Sequence, residues 1–210
     1  MTQLAYDRLA AAPVAPEPYR HVIVPAFVPP AVLARVVADL PPLERRGSFP
    51  VGSLRFGPDA AALMEELEGP EFRRAIADKF SLNLDDAPTM LTLRGSSTER
   101  DGLIHRDSDA KRVTILLYLN PATEAWARHE GCLRLLRTPD DLDDFAVEVP
   151  PADGALLVFP NARNAWHGHK TFIGRRYVAQ LNYMTTDSAA RSELRRHRFS
   201  ALVKRLTMAA

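Results

Sequence analysis

Cysteine is almost absent: Cys132 stands alone among 210 residues. That excludes a disulfide scaffold and any all-cysteine metal site. No apolar run approaches the roughly 18–20 residues that a membrane span needs, so no membrane partner is expected. Net charge is missing as well, with 27 Lys and Arg against 26 Asp and Glu. A neutral chain projects no global field toward nucleic acid. The first twelve residues show no basic stretch followed by an apolar block, so no secretory signal is expected. Internal repeats and low-complexity linkers are lacking too. These absences predict a single-domain, cytoplasmic protein kept reduced. What is present is ordinary in bulk, 46% hydrophobic and 25% charged, as in soluble globular domains. Two features stand out, 17 prolines and six histidines, and His167 and His169 lie two residues apart beside Trp166.

Pro13, Pro16 and Pro18 make residues 1–18 an irregular, flexible lead-in, and residues 19–210 a single domain. His21 to Val24 reads as a short strand. Pro29-Pro30 starts a helix in which Val32, Leu33, Val36, Val37 and Leu40 recur at helical spacing until Pro41-Pro42. Gly47, Pro50, Gly52, Gly57 and Pro58 mark a loop. A second helix follows, with Asp59 as N-cap and Leu63, Met64 and Leu67 on its apolar face. Gly69-Pro70 ends it and opens a third, with Phe72, Ile76 and Phe80.

From about residue 88 the pattern changes. Met90 to Leu93, Val113 to Leu119, Cys132 to Leu136, Phe145 to Val149, Ala155 to Phe159 and Tyr177 to Tyr183 are strand-forming runs separated by Gly, Pro, Asn and Asp. The gaps are too short for crossover helices. An antiparallel sandwich or jelly roll over 88–184 is expected, so the class is α+β, mainly β with an α flank. A basic helix is expected over about 190–206. Its nucleic-acid reading is the weaker one, since it lacks interleaved aromatics.

Within the β region lies His105-Arg106-Asp107. Residues two apart on an extended segment project from one face, so the imidazole and the carboxylate can converge on one ion. His167-Gly168-His169 follows about 60 residues later, between two predicted strands. Arg176 stands nine residues after His167. Two imidazoles and one carboxylate on one face of an octahedron, with the other positions open, suit a non-heme Fe(II) oxygenase. Residues two apart project alike, so strand geometry leaves His167 and His169 as alternatives. In Val113–Leu119 the set Val113, Ile115, Leu117 and Leu119 is wholly apolar and belongs in a core. Thr114, Leu116 and Tyr118 form a mixed face suited to a polar cavity. In the last strand Arg176, Val178, Gln180 and Asn182 share a face, and Arg175 points the other way. A guanidinium fork matches a carboxylate in bidentate fashion.

On these residues, the segment from about Met90 to Met184 resembles the prolyl-4-hydroxylase-like branch of the 2-oxoglutarate/Fe(II)-dependent dioxygenases. The resemblance implies a double-stranded β-helix, a cupin-like jelly roll supported by N-terminal helices. It implies His105, Asp107 and His167 as iron ligands, because the family places its basic residue nine or ten positions after the second histidine. It implies Arg176 for the far carboxylate of 2-oxoglutarate, joined by Tyr118 in the sequence Tyr118-Leu119-Asn120, with Thr114 on the same face. Fe(II), 2-oxoglutarate and O2 are the implied cofactors. The implied reaction is hydroxylation of an unactivated C–H bond in a small molecule, amino acid or peptidyl residue, with release of succinate and CO2. His169, Arg94, Trp166 and Asn182 are candidates for supporting or substrate contacts. Retention of Asp107 argues against a halogenase. The rivals are a cupin-like metal enzyme that does not use 2-oxoglutarate and a non-catalytic jelly-roll binding module. Asp109, four residues from His105, reads at best as a supporting neighbour. His21, His129 and His197 read as ordinary, and Cys132 as a small buried residue. Trp126 is assigned to a segment that covers the substrate. The apolar faces of the N-terminal helices are compatible with a dimer.

Overall fold

The computed structural model describes residues 3–196. The chain runs α1 (Tyr6–Ala11), β1 (Val22–Val24), α2 (Pro30–Ala38), β2 (Phe49–Pro50), a 3-10 turn (Val51–Ser53), α3 (Pro58–Glu68), α4 (Pro70–Phe80), β3 (Thr89–Ser97) and β4 (Lys111–Tyr118). It continues with α5 (Glu124–Ala127), β5 (Leu133–Leu136), β6 (Phe145–Val149), β7 (Leu156–Pro160), β8 (His167–His169) and β9 (Gly174–Met184). A helical segment follows over 188–196, and the rest of the expected basic helix, His197 included, lies outside the described residues.

Two antiparallel sheets make the body. A six-stranded sheet has the order β1-β7-β4-β9-β3-β2, and a three-stranded sheet the order β6-β5-β8. This is the double-stranded β-helix that the sequence led us to expect. The period of two along β4 decides which layer each side chain joins. Val113, Ile115 and Leu117 face outward and are buried with Leu63, Phe72, Ile76 and Phe80 of α3 and α4. Leu116 and Tyr118 face inward, where they meet Leu133, Leu135, Val149 and Val178 between the sheets. The helices therefore roof one face of the large sheet and leave the other for the cavity.

Three expectations need correction. Residues 1–18 do not form an irregular lead-in throughout. Residues 6–11 are helical, Leu4 and Leu9 are buried, and Lys79 Nζ donates to the carbonyls of Ala10 and Ala12 at 2.7 and 2.9 Å. Burial of these leucines against α4 outweighs the nearby prolines. Asp59 is not the N-cap of α3; Gly57 is. The carboxylate that caps this helix comes from Asp39, whose Oδ2 accepts the Asp59 amide at 2.6 Å. A side chain at Gly57 would collide with it, since a Cβ there would lie 2.4 Å from Asp39 Cγ. His167-Gly168-His169 is itself a strand, β8, and not a connection between strands. Its pairing with β5, Leu133 to His169 and Leu135 to His167, is long-range and leaves no local trace in three residues.

Phe72 is fully buried and stacks edge-on with Tyr6 and tilted against Phe27. Phe72→Ala is expected to cost about 3–5 kcal/mol of unfolding free energy. Urea unfolding checks this, and a loss under about 1 kcal/mol would mean that the helical roof is not packed as described.

Candidate active site

The histidines are aimed by their own backbones. His105 N donates to the His167 carbonyl at 3.0 Å and His167 N to the His105 carbonyl at 2.9 Å. This single bridge between the loop after β3 and β8 brings the two rings to 4.3 Å between centroids. His105 Nδ1 lies 2.8 Å from the Leu103 carbonyl, and His167 Nδ1 lies 3.0 Å from that of Ala165. Each Nδ1 must carry its proton to make such a bond, which leaves each Nε2 a lone pair. One potential ligand atom from each of His105, Asp107 and His167 falls within 4.8 Å of the others. Two imidazoles and a carboxylate at such separations fit a divalent cation with nitrogen and oxygen preference.

Asp107 is buried and held on both sides. Lys111 Nζ lies 2.5 Å from Oδ1, and the Thr114 hydroxyl donates to Oδ2 at 2.5 Å. Asn182 Oδ1 stands 3.1 Å from that same hydroxyl. Burial would raise the Asp107 pKa, but the Lys111 ammonium, His167 and these hydrogen bonds outweigh it and hold the carboxyl below its usual range. The carboxylate is thus kept ionised inside the protein.

The cluster opens on a cleft of about 670 Å³, its mouth included, between the sheets. Thr114, Leu116 and Tyr118 of β4 and Arg176, Val178 and Gln180 of β9 line it. Every second residue of two paired strands faces one space, as the alternation requires. Arg176 is buried, and its Nε donates to the Gly131 carbonyl at 3.0 Å. Its guanidinium carbon sits 5.7 Å from the centre of the Tyr118 ring. The Tyr118 hydroxyl is buried and finds no partner of hydrogen-bonding geometry. Burial pushes this phenol up to about 12, so it is a neutral donor. A buried guanidinium with no carboxylate beside it is costly unless an anion arrives.

The other expected residues divide. His169 is buried and lines the cleft beside the metal cluster without joining it. Arg94 also lines the cleft, and its Nη2 lies 2.7 Å from Asp101 Oδ1. Thr114 lines the cleft too, but its hydroxyl is spent on Asp107. Asn182 is buried behind Thr114 and does not line the space. Trp166 does not line it either; its carbonyl accepts from the Tyr19 hydroxyl at 3.2 Å. Trp126 does not line the cleft and is buried against Phe172 and Cys132. Asp109 is exposed and paired with Arg106 at 2.6 Å. Cys132 is buried and free, as expected. His21 is buried just ahead of β1, its Nδ1 2.9 Å from the Tyr19 carbonyl, and exposed His129 bonds to Glu148.

Sequence reasoning passed over Lys111, Asp101 and Ser97. Asp101 is the knot of the loop before His105. Its Oδ2 accepts Thr98 N and Oγ1, both at 2.9 Å, and its Oδ1 accepts Arg94 and Arg46. The Thr98-x-x-Asp101 spacing, the same as a capping box, was the available signal. Gly102 follows at φ +92°, and a Cβ there would lie 2.3 Å from the His169 carbonyl. Only glycine lets this loop lie against β8.

Comparison with known proteins agrees with this site. Residues 95–184, which hold all three metal-cluster residues, match the family model described as 2OG-Fe(II) oxygenase superfamily. No curated protein matches the chain. Among solved structures, a prolyl-4-hydroxylase from Pseudomonas putida is similar at 16% identity and TM-score 0.55, over 85% of this chain and 92% of that one. A Trichoplax adhaerens prolyl hydroxylase, solved with a hypoxia inducible factor oxygen degradation domain peptide fragment, gives 18%, 0.53 and 90% of each chain. Prolyl 4-hydroxylases from Phytophthora capsici give 16% and 0.58, over 98% of this chain and 77% of that one. Identities this low speak for the fold.

Burial, with His105 adding to it and Asp107 opposing it, keeps His167 neutral down to about 4. Burial and then Arg176 do the same at His169, also to about 4. In the unfolded chain these rings protonate near about 6.5. Between those values the unfolded chain binds more protons, so stability falls as pH falls through that window. The melting temperature of the metal-free protein should therefore drop between pH 7 and about 4.5. A flat profile would contradict two buried neutral rings.

Proposed function

We infer that this chain, which carries a 2OG-Fe(II) oxygenase domain over residues 95–184, holds iron through His105, Asp107 and His167 and 2-oxoglutarate through Arg176 and Tyr118. It is an oxygenase of the hydroxylase type that uses Fe(II), 2-oxoglutarate and O2. One observation carries the residue assignment. A buried guanidinium and a buried phenol line the same cleft as His105 and His167 of the metal-ligating cluster. A cupin-like metal enzyme that did without 2-oxoglutarate would leave Arg176 buried without an anion, and so would a binding module without chemistry.

Iron, when bound with 2-oxoglutarate and O2, supplies the oxidising power: the co-substrate leaves as succinate and CO2, and one oxygen atom enters a substrate C–H bond as a hydroxyl. The chain does the positioning. The Leu103 and Ala165 carbonyls fix the imidazole tautomers, which leaves each Nε2 as the atom that would hold iron. Thr114 holds one oxygen of Asp107 in place, and Lys111 neutralises the other. Arg176 offers its fork and Tyr118 its O–H to the far carboxylate of 2-oxoglutarate. Leu116, Leu133 and Val178 give the cleft an apolar wall. The substrate is a small molecule or a short peptide segment entering by the open mouth. The peptide bound by the Trichoplax enzyme favours keeping the second option. We place the activity in the reducing cytoplasm, where buried Cys132 stays a thiol.

Anaerobic addition of Fe(II) and 2-oxoglutarate should give a visible metal-to-ligand charge-transfer band. The band should vanish in the His105→Ala/Asp107→Ala double variant, and its persistence there would sink the ligand assignment. Arg176→Ala should raise the 2-oxoglutarate requirement about tenfold or more, the loss of a charge-assisted pair. Thr114→Val keeps the shape but frees Asp107 Oδ2. It should weaken Mn(II) binding, read by electron paramagnetic resonance, by about 10–100-fold. Unchanged Mn(II) affinity would rule out Thr114 as the group that positions the carboxylate.

A further inference from the structure

Once the far carboxylate of 2-oxoglutarate is assigned to Arg176, the cleft still holds a second cation. Among the described residues lining it, Arg94 and Arg176 carry permanent charge and no acid does. Arg94 is not neutralised where it stands. Its partner Asp101 is a single buried carboxylate shared by two guanidinium groups, Arg94 Nη2 at 2.7 Å and Arg46 Nε at 3.1 Å. The other oxygen of Asp101 is fully used by Thr98 N and Oγ1. Two positive charges thus share one negative charge. The surplus faces the cleft, because Arg94 lines it and Arg46, half exposed, does not.

The same wall carries an orphan. Ser97, three residues along β3, is buried, lines the cleft and has a hydroxyl with no hydrogen-bond partner. The strand register shifts between Arg94 and Ser96, a bulge of the kind that re-aims side chains beside active sites. A buried hydroxyl without a partner and a guanidinium with surplus charge ask for one acceptor-rich anion.

We propose that Arg94 and Ser97 form a second anion subsite and that the substrate carries a free carboxylate, which this wall binds while its C–H bond faces the metal cluster. The proposal rests on the reading that Arg176 takes 2-oxoglutarate. A carboxylate fits because it is planar, matches the guanidinium fork and accepts a hydroxyl proton as well. A peptide segment with no free carboxylate would leave the surplus charge and the Ser97 hydroxyl unmet.

The test uses the full chain with Fe(II) and 2-oxoglutarate under anaerobic conditions. The common free L-amino acids and their matching amides are titrated in turn, and the shift of the charge-transfer band is followed. At least one free acid should give a saturable shift, with its amide about tenfold weaker or worse, the loss of one charge-assisted hydrogen bond. Arg94→Gln should weaken that acid about tenfold while leaving its amide and the 2-oxoglutarate titration unchanged. Arg94→Lys should restore part of the loss. Arg46→Gln should weaken the acid by a smaller factor, because Asp101 then neutralises Arg94 alone; a purely structural ion pair would not show this. The proposal is overturned if no free acid shifts the band, if amides bind as well as acids, or if Arg94→Gln weakens 2-oxoglutarate itself. Retention of the band in each variant shows that the variant has folded. A wild type without any band, before an amino acid is added, overturns the 2-oxoglutarate reading and this proposal with it.

Discussion

The antiparallel pairing of β4 with β9 is the constraint on which the rest of this molecule depends. Ile115 opposite Leu181 and Leu117 opposite Ala179 build the face that the helices cover. Thr114 opposite Asn182, Leu116 opposite Gln180 and Tyr118 opposite Val178 build the face that bounds the cleft. A slip of one residue would exchange the two sets. It would drive Tyr118 and Thr114 into the helical core and turn the leucines toward the cleft. The apolar core thus does more than stabilise the sheet. By fixing which face is buried against helices, it fixes where the guanidinium and the phenol point.

Burying charge in this cleft is costly, and the structure meets the cost unevenly. Asp107 has a counter-charge and a hydroxyl donor. Asp101 has four donors. Arg176 donates to a backbone carbonyl and has no carboxylate partner among the described residues, and Arg94, with 34% of its side chain exposed, shares its acid. The carboxylates are over-supplied and the guanidinium groups under-supplied, so the cleft as a whole awaits anions. This imbalance links the fold to the chemistry, because a co-substrate with a remote carboxylate completes what the protein leaves open. Preorganised donors of this kind do not have to be reordered when the ligand arrives.

Much of this was legible in the chain. The strand alternation separated Ile115 and Leu117 from Thr114, Leu116 and Tyr118, and the folded chain keeps that separation. The spacing of His105, Asp107, His167 and Arg176 marked the metal-ligating cluster and the arginine of the cleft beside it. Local signals did less well where the decisive contact was distant. Asp59 looked like a helix cap, but the capping carboxylate is Asp39. The proline-rich start looked irregular, but Leu4 and Leu9 found a buried surface on α4. Trp126 looked like part of a segment over the substrate, but it lies outside the cleft lining, with Phe172 packed on its ring at 4.6 Å between centroids.

Periodicity and residue type, which are properties of neighbours along the chain, were enough to determine the class of fold, the face that lines the cleft and the His105 and Asp107 part of the candidate metal cluster. They left His167 and His169 equivalent, since residues two apart on a strand project alike. The tertiary structure separated them. The bridge between His105 and His167 joins residues more than 60 positions apart, and it alone brings one of the two rings against the H-x-D segment. It also decided that Asp101 serves two guanidinium groups at once. Charge sharing of that kind depends on distances in space, which spacing along a chain does not encode.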